Sequence, residues 1–261
     1  AQAVPLKYAI DPVNCIFLTK GRCKVCEKLC PAKAINFEDK EKELTIQTGA
    51  IIISPGCEVF DPKVYNVYGY QRSPNVVTSL EFERMLSASG PLGGHLIRAS
   101  DKKEPRKIAW IQCVGSRDSH IGKGYCSSVC CMYATKEAVI AKEHADEMEA
   151  TIFYMDMRAY GKDFDKYIER AKKDYGVRYI RSRVSHVKEN PVTKNLTIYY
   201  ETEEGEMVSE EFDLVALSVG LEPTRSHHEI AKIFDIDLNE YGFAKTTTFS
   251  PLQTSKPGIF V

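Results

Sequence analysis

Four cysteines lying between a strand-like run and a helix-like run place the strongest constraint on this chain. Cys113, Cys126, Cys130 and Cys131 are spaced C-x12-C-x3-C-C. Ahead of them, Ile108-Ala109-Trp110-Ile111 is a continuous apolar run of the kind expected for a parallel strand buried on both faces. Beyond them, Ala134, Ala138, Ala141, Ala145 and Met148 recur at alternating steps of four and three, the period of a helix face. A strand, a turn and a helix in that order ordinarily carry a Gly-rich phosphate loop. Here the turn reads Gln112-Cys113-Val114-Gly115-Ser116-Arg117-Asp118, with no G-x-G-x-x-G. The stretch from Lys107 to Met148 therefore reads as a dinucleotide-binding unit rebuilt to hold metal.

The other cysteines support a metal reading. Of nine in 261 residues, only Cys57 stands apart from two groups. An odd count with C-x2-C spacing in a chain of this size fits intracellular metal binding better than a secreted disulfide framework. Cys15, Cys23, Cys26 and Cys30-Pro31 are spaced C-x7-C-x2-C-x3-C-P. The bacterial ferredoxin run is C-x2-C-x2-C-x3-C-P, so the last spacings are kept and the first is lengthened. Soft thiolates favour iron–sulfur or zinc, and zinc more often uses two separated C-x2-C pairs or histidines. In two-cluster ferredoxins the fourth cysteine of a run serves the other cluster, which leaves open whether Cys30 belongs with its neighbours.

Net charge is −1 with 27% charged residues, which points away from nucleic acid and anionic membranes as partners. No apolar run approaches the ~20 residues that span a bilayer, and no signal peptide is visible, so a cytoplasmic location is expected. The chain starts at Ala1 and stops in Gly258-Ile259-Phe260-Val261, and both ends read as cuts in a longer protein.

Along the chain, Leu6–Pro12 is a strand-like piece ending in a turn, and residues 42–48 read as a strand leading to Ile51-Ile52-Ile53-Ser54-Pro55-Gly56. A glycine at the end of an apolar strand lets a backbone approach a ligand closely, which makes Gly56 and, after Asp213–Ser218, Gly220 candidates for cofactor binding; the stretch ending at Gly56 reads equally as an ordinary buried strand with a turn. Thr78-Ser79-Leu80-Glu81 fits a capping box, opening a helix to about Ser89. Gly90–Pro105 suits a crossing between domains. Thr151–Met155 and Val177–Ile180 read as strands around a helix bearing Phe164, Tyr167, Ile168 and Ala171. The order β-α-β-α-β argues for a parallel, doubly wound sheet. Leu196, Ile198 and Tyr200 alternate within an expected antiparallel meander over 183–212.

This order resembles the α/β two-dinucleotide-binding-domain, thioredoxin reductase-like flavoproteins, in which a nicotinamide domain interrupts an FAD domain. The expected division is a small ferredoxin-like iron–sulfur segment (1–48), part of an FAD domain and the crossing (49–106), a nicotinamide-domain-like unit with an iron–sulfur loop (107–221), and a truncated return to the FAD domain (222–261). Along essentially the whole chain, the sequence is similar to the heterodisulfide reductase A-subunit family and to its relative in quinone-interacting oxidoreductases. Gln112–Asp118, Tyr125-Cys126 and Cys130-Cys131 are the most specific matches. The resemblance implies a 4Fe-4S cluster on Cys113, Cys126, Cys130 and Cys131, and FAD in the full-length protein, with weak or absent FAD in these residues alone. It implies electron transfer, including flavin-based bifurcation. It also implies, as partners, ferredoxin, other subunits of such a complex, and a hydrogenase or formate dehydrogenase electron-donor subunit, within a homo-oligomeric assembly.

Two basic residues near the cysteines are candidates for tuning or binding the flavin. Lys136, five residues past Cys131, would favour a reduced anionic flavin if set against the ring, and is equally readable as an exposed helix lysine. Arg117 either faces FAD phosphates or balances Asp118. Cys130-Cys131 also fits a vicinal redox disulfide, although two further cysteines nearby match metal spacing better. Two functions are consistent with these residues: an oxidoreductase subunit carrying electrons, and a non-catalytic, metal-stabilised scaffold for assembly of a redox complex.

Overall fold

The structure, a computed structural model, describes residues 8–40 and 43–261. The chain forms two compact units, Ala1–Gly49 and Ala50–Val261. In the first, α1 (Ile16–Lys20) ends at Gly21 in the left-handed region (φ 67°), and α2 (Val25–Leu29) follows. Neither helix buries a residue. Phe17 packs on Phe37, ring centroids 4.5 Å apart, with the Lys24 ammonium over the Phe17 ring. Among the described residues this unit buries no side chain, and domains so small are ordinarily held by a staple such as a metal.

Two expectations for this region are corrected. Leu6 and Lys7 lie outside the described residues, and residues 8–10 form no strand. Residue 42 is likewise outside, and residues 43–48 form no strand either; Leu44 and Ile46 are 81% and 75% exposed. Alternating apolar residues make a strand only where a neighbouring strand and a core receive them, and none does so here.

The second unit contains β1 (Ile51–Ile52), β2 (Glu58–Val59), β3 (Val76–Thr78), α3 (Ser79–Leu86), β4 (Lys107–Val114), α4 (Cys130–His144), β5 (Glu149–Tyr154), α5 (Phe164–Lys173) and β6 (Arg178–Arg181). Then come β7 (His186–Glu189), β8 (Leu196–Glu201), β9 (Met207–Phe212), β10 (Leu214–Val219), β11 (Leu221–Glu222), α6 (His227–Phe234) and β12 (Ile259–Phe260). The main sheet is parallel throughout, in the order β3-β10-β4-β5-β6. The strand that delivers Cys113 is therefore its centre.

Alternation along that strand separates two cores. Ile108 and Trp110 face α3 and α4 with Phe82, Ala134, Ala138 and Ile152. Ala109 and Ile111 face the antiparallel β7-β8-β9 layer with Phe153, Leu196, Ile198 and Phe212. Because both faces are covered, the run has to be apolar without interruption. The capping box forms as expected: Glu81 N–H donates to Thr78 Oγ1, and Thr78 N–H to Glu81 Oε2 at 2.7 Å. The sheet also takes β3 from upstream of Lys107, within the stretch expected to be FAD domain and crossing. The central helix stops at His144 rather than reaching Met148, with Lys142 Nζ donating to the Asp146 and Met148 carbonyls at 2.9 and 2.8 Å. A smaller core of Ala231, Ile236 and Ile259 lies by the parallel β1–β12 pair.

Candidate metal centre

At the end of β4 the backbone turns sharply. Cys113 and Arg117 take positive φ (60° and 58°), as does Gly115 (74°). A Cβ on Gly115 would lie 2.0 Å from Cγ of Phe60, so only glycine fits. The loop is fastened by its own hydrogen bonds. Arg117 N–H donates to Tyr125 O (2.8 Å), while Asp118 and Lys123 exchange backbone bonds (2.8 and 2.9 Å). Ser127 N–H donates to Ser116 Oγ (3.0 Å), and Ser127 Oγ accepts from Leu221 N–H (2.9 Å). Gly220 is buried against this loop: its N–H donates to Val114 O at 2.8 Å, and a Cβ there would lie 2.7 Å from Gly115 O. The close approach that Gly220 permits is thus that of the cysteine loop itself.

The loop and the helix start bring four thiols to one cavity. Cys113, Cys126, Cys130 and Cys131 line it with Arg117, Asp156 and Arg158. Cys130 and Cys131 open α4, whose first turn has no side-chain cap, so the positive end of the helix dipole bears on the thiols. Arg158 N–H points at Cys131 Sγ (3.4 Å) and Ser128 N–H at Cys126 Sγ (3.4 Å). All nine cysteines are unpaired. Burial pushes the Cys113 thiol up to about 11, the Cys131 sulfur adding to the rise and Arg117 opposing it. Burial likewise pushes Cys130 up to about 12 and raises Cys131. Crowded, buried thiols hold their protons unless a cation replaces them, which is how metal-ligating thiols ionise.

Among the described residues, no group of three or more His, Cys, Asp or Glu closes on a single metal ion. In a 4Fe-4S cluster held by four cysteines each thiolate meets its own iron, so the sulfurs surround the group without converging on a point. The Cys113–Cys131 donor set, arranged about a shared cavity, fits that pattern. For the earlier group, Cys15 precedes α1, Cys26 lies in α2, and Cys30 caps it with its Sγ accepting the Ala34 N–H at 3.4 Å. As with the central four, no three of Cys15, Cys23, Cys26 and Cys30 close on a single metal ion.

The flavin candidates are placed differently from one another. Gly56 (φ 81°) has open space around its Cα and lines an apolar pocket of about 290 Å³ with Ile53, His227, Ile236 and Phe243. Lys136 lies on α4 with its side chain 59% exposed, 3.7 Å from Glu83. Arg117 does not balance Asp118; its guanidinium engages Asp156, and Asp118 is held by Arg183 (2.9 Å) and the Tyr65 hydroxyl (2.7 Å). Asp156 and Arg158 are functional candidates that the sequence reading misses. A signal for them exists, because they follow a parallel strand directly, at the carboxyl end where open α/β sheets place their sites.

The fold and the matched residues define the class. The chain belongs to the pyridine nucleotide-disulphide oxidoreductase family, which it matches over residues 13–261. The resemblance to the A-subunit of heterodisulfide reductase is borne out within that class. The chain is 44% identical to the iron-sulfur A-subunit of the CoB–CoM heterodisulfide reductase of Methanocaldococcus jannaschii, covering 100% of this chain and 39% of that protein. It is also 44% identical to the A-subunit of the H2/formate:CoB-CoM heterodisulfide, ferredoxin reductase of Methanococcus maripaludis, with the same coverage. The chain thus spans 39% of the length of these relatives. A thioredoxin reductase structure from T. acidophilum is similar with TM-score 0.46 and 17% identity, over 81% of this chain and 55% of that one. Among the described residues no helix is long and apolar enough to cross a membrane.

Proposed function

We propose that this chain is part of a cytoplasmic electron-transfer subunit of a heterodisulfide reductase-type complex, passing electrons between FAD and iron–sulfur clusters. The observation that carries the reading is the meeting of Cys113, Cys126, Cys130 and Cys131 at one cavity, where the central strand ends and α4 begins. That is the place where a dinucleotide-binding unit would present its phosphate loop. A 4Fe-4S cluster bound there supplies a one-electron relay. The chain's own residues hold it with four thiolates, fix the loop through Ser116, Ser127 and Gly220, and shield Cys130 and Cys131 from water, both below 10% exposed. Cys15, Cys23, Cys26 and Cys30 form a second, ferredoxin-like set within residues 1–48.

FAD belongs to the domain that residues 49–106 and 222–261 begin and rejoin. The apolar pocket at Gly56 and the β1–β12 pair support that reading, and Lys136 is the residue proposed to favour reduced flavin. In the whole protein the partners are ferredoxin, other subunits of such a complex, and a hydrogenase or formate dehydrogenase electron-donor subunit, in a homo-oligomer. Electron bifurcation at the flavin is part of this proposal. The relatives' names, which describe an iron–sulfur component of one complex and a ferredoxin reductase in the other, support it.

The test is a visible spectrum with iron and flavin quantification on full-length protein purified without oxygen. Broad iron–sulfur absorbance with flavin peaks is expected. A colourless zinc protein would favour the scaffold reading instead.

A further inference from the structure

We infer that Asp156 and the two arginines it bridges, Arg117 and Arg158, form a charge clamp that sets the reduction potential of the group held by the four central cysteines. The inference rests on the cluster reading above. Arg117 comes from the loop after β4, and Asp156 and Arg158 from the exit of β5. Both guanidinium groups meet one carboxylate: Arg117 Nη1 pairs with Asp156 Oδ1, and Arg158 Nε lies 3.3 Å from the same oxygen. Both arginines line the same cavity as the four thiols. The Arg158 main chain donates to Cys131 Sγ.

Ion pairs that served only to fasten two loops would have no reason to bring both cations to the thiol cavity. Here the carboxylate holds the two guanidinium groups at the cavity that the thiols line, and the trio carries one net positive charge. Their side chains are only 22%, 34% and 43% exposed, so solvent screens them incompletely. One-electron reduction of the cluster adds one negative charge among the thiolates and makes or breaks no bond. Neighbouring positive charge therefore favours the reduced form, in line with the tuning of cluster potentials by charge and by hydrogen bonds to sulfur. Removing an arginine charge makes reduction harder, whereas neutralising Asp156 makes it easier. Opposite signs from two residues in contact distinguish a clamp from a strut.

The experiment is an EPR-monitored redox titration of anaerobic full-length protein carrying Arg117→Gln, Arg158→Gln, Asp156→Asn or Arg117→Lys, with iron counted in each and with Cys126→Ala as the site control. At the wild-type midpoint, Arg117→Gln and Arg158→Gln should lower the reduced-to-oxidised ratio about tenfold, a shift of about 59 mV for a one-electron couple. Asp156→Asn should raise that ratio, and Arg117→Lys should stay near wild type. Changes below about twofold in every variant, or shifts of the same sign for Arg117→Gln and Asp156→Asn, with iron intact, would overturn the clamp while leaving the cluster. Loss of iron in all four variants would make the trio purely structural and also overturn it. If Cys126→Ala keeps its iron and its signal, the cluster reading itself fails.

Discussion

The indole Nε1 of Trp110 donates a 2.9 Å hydrogen bond to Oε2 of Glu137, and both side chains are buried, Trp110 on the central strand and Glu137 on α4. The contact joins the strand that ends in the cysteine loop to the helix that starts there. Burial pushes the Glu137 carboxyl up to about 8, the Trp110 hydrogen bond opposing the rise. Glu137 sits beside Lys136 but faces the core, whereas Lys136 faces outward to Glu83.

The raised acid makes stability fall with pH. Below the ordinary carboxylate range both the folded and unfolded chains hold the proton, and nothing is lost. Between about 4.5 and about 8 the unfolded chain releases it first, so folding is progressively disfavoured, levelling off above about 8. The total is on the order of a few kcal/mol at most. Glu137→Gln keeps an acceptor for the indole and removes the titration, so its stability should exceed wild type most at high pH. Trp110 is the sole tryptophan, so its fluorescence should show a transition near pH 8 that Glu137→Gln abolishes. A flat wild-type titration from pH 6 to 10 would show that Glu137 does not ionise there.

Two glycines in one loop should behave very differently. Gly115 and Gly122 both have positive φ, 74° and 71°, but a Cβ on Gly115 enters the Phe60 ring while Gly122 faces open space. Gly122→Ala should cost about 1–2 kcal/mol, from backbone conformation alone. Gly115→Ala adds overpacking, for about 2–5 kcal/mol in all. Chemical denaturation of the two variants measures the gap; equal losses would mean Phe60 can swing clear.

Much of this was legible in sequence because apolar runs and caps report local requirements. Ile108–Ile111 needed no partner to announce a strand covered on both faces, and Thr78 with Glu81 announced a helix start that the structure forms. The cysteine loop was legible from spacing, since its ligands lie between one strand and the next helix. The contact of Asp156 with Arg117 joins residues far apart in sequence and no local pattern encodes it. Residues 43–48 misled for the complementary reason: alternation was present, but the pairing it needs was not.

Cys126 should prove necessary for the central site and irrelevant to the earlier one. It reaches the cavity from the loop, while Cys130 and Cys131 come from the helix. Cys126→Ala in full-length protein should therefore lower iron by about four atoms, one cluster, and remove one EPR signal. The group at Cys15–Cys30 should be unaffected. Unchanged iron and signal would take Cys126 out of the ligand set.

The nicotinamide-like unit should not bind NAD(P)H. A pyrophosphate is gripped by unpaired backbone N–H groups in a Gly-rich turn and at a helix start. In this loop those donors are already engaged: Arg117 N–H by Tyr125 O, Asp118 N–H by Lys123 O, and Ser127 N–H by Ser116 Oγ. Cys130 and Cys131 occupy the opening of α4, and Asp156 adds a carboxylate to the same cavity. Each charge-assisted hydrogen bond forgone is worth roughly 1.5–3 kcal/mol. Two or three of them weaken binding by several orders of magnitude, at about 1.4 kcal/mol per tenfold. Titration calorimetry with NADPH should thus show no binding at micromolar concentrations. Micromolar binding lost on substitution of Ser116 or Ser127, but not of residues outside the loop, would mean the loop opens to accept the dinucleotide and is not the closed metal cradle described above.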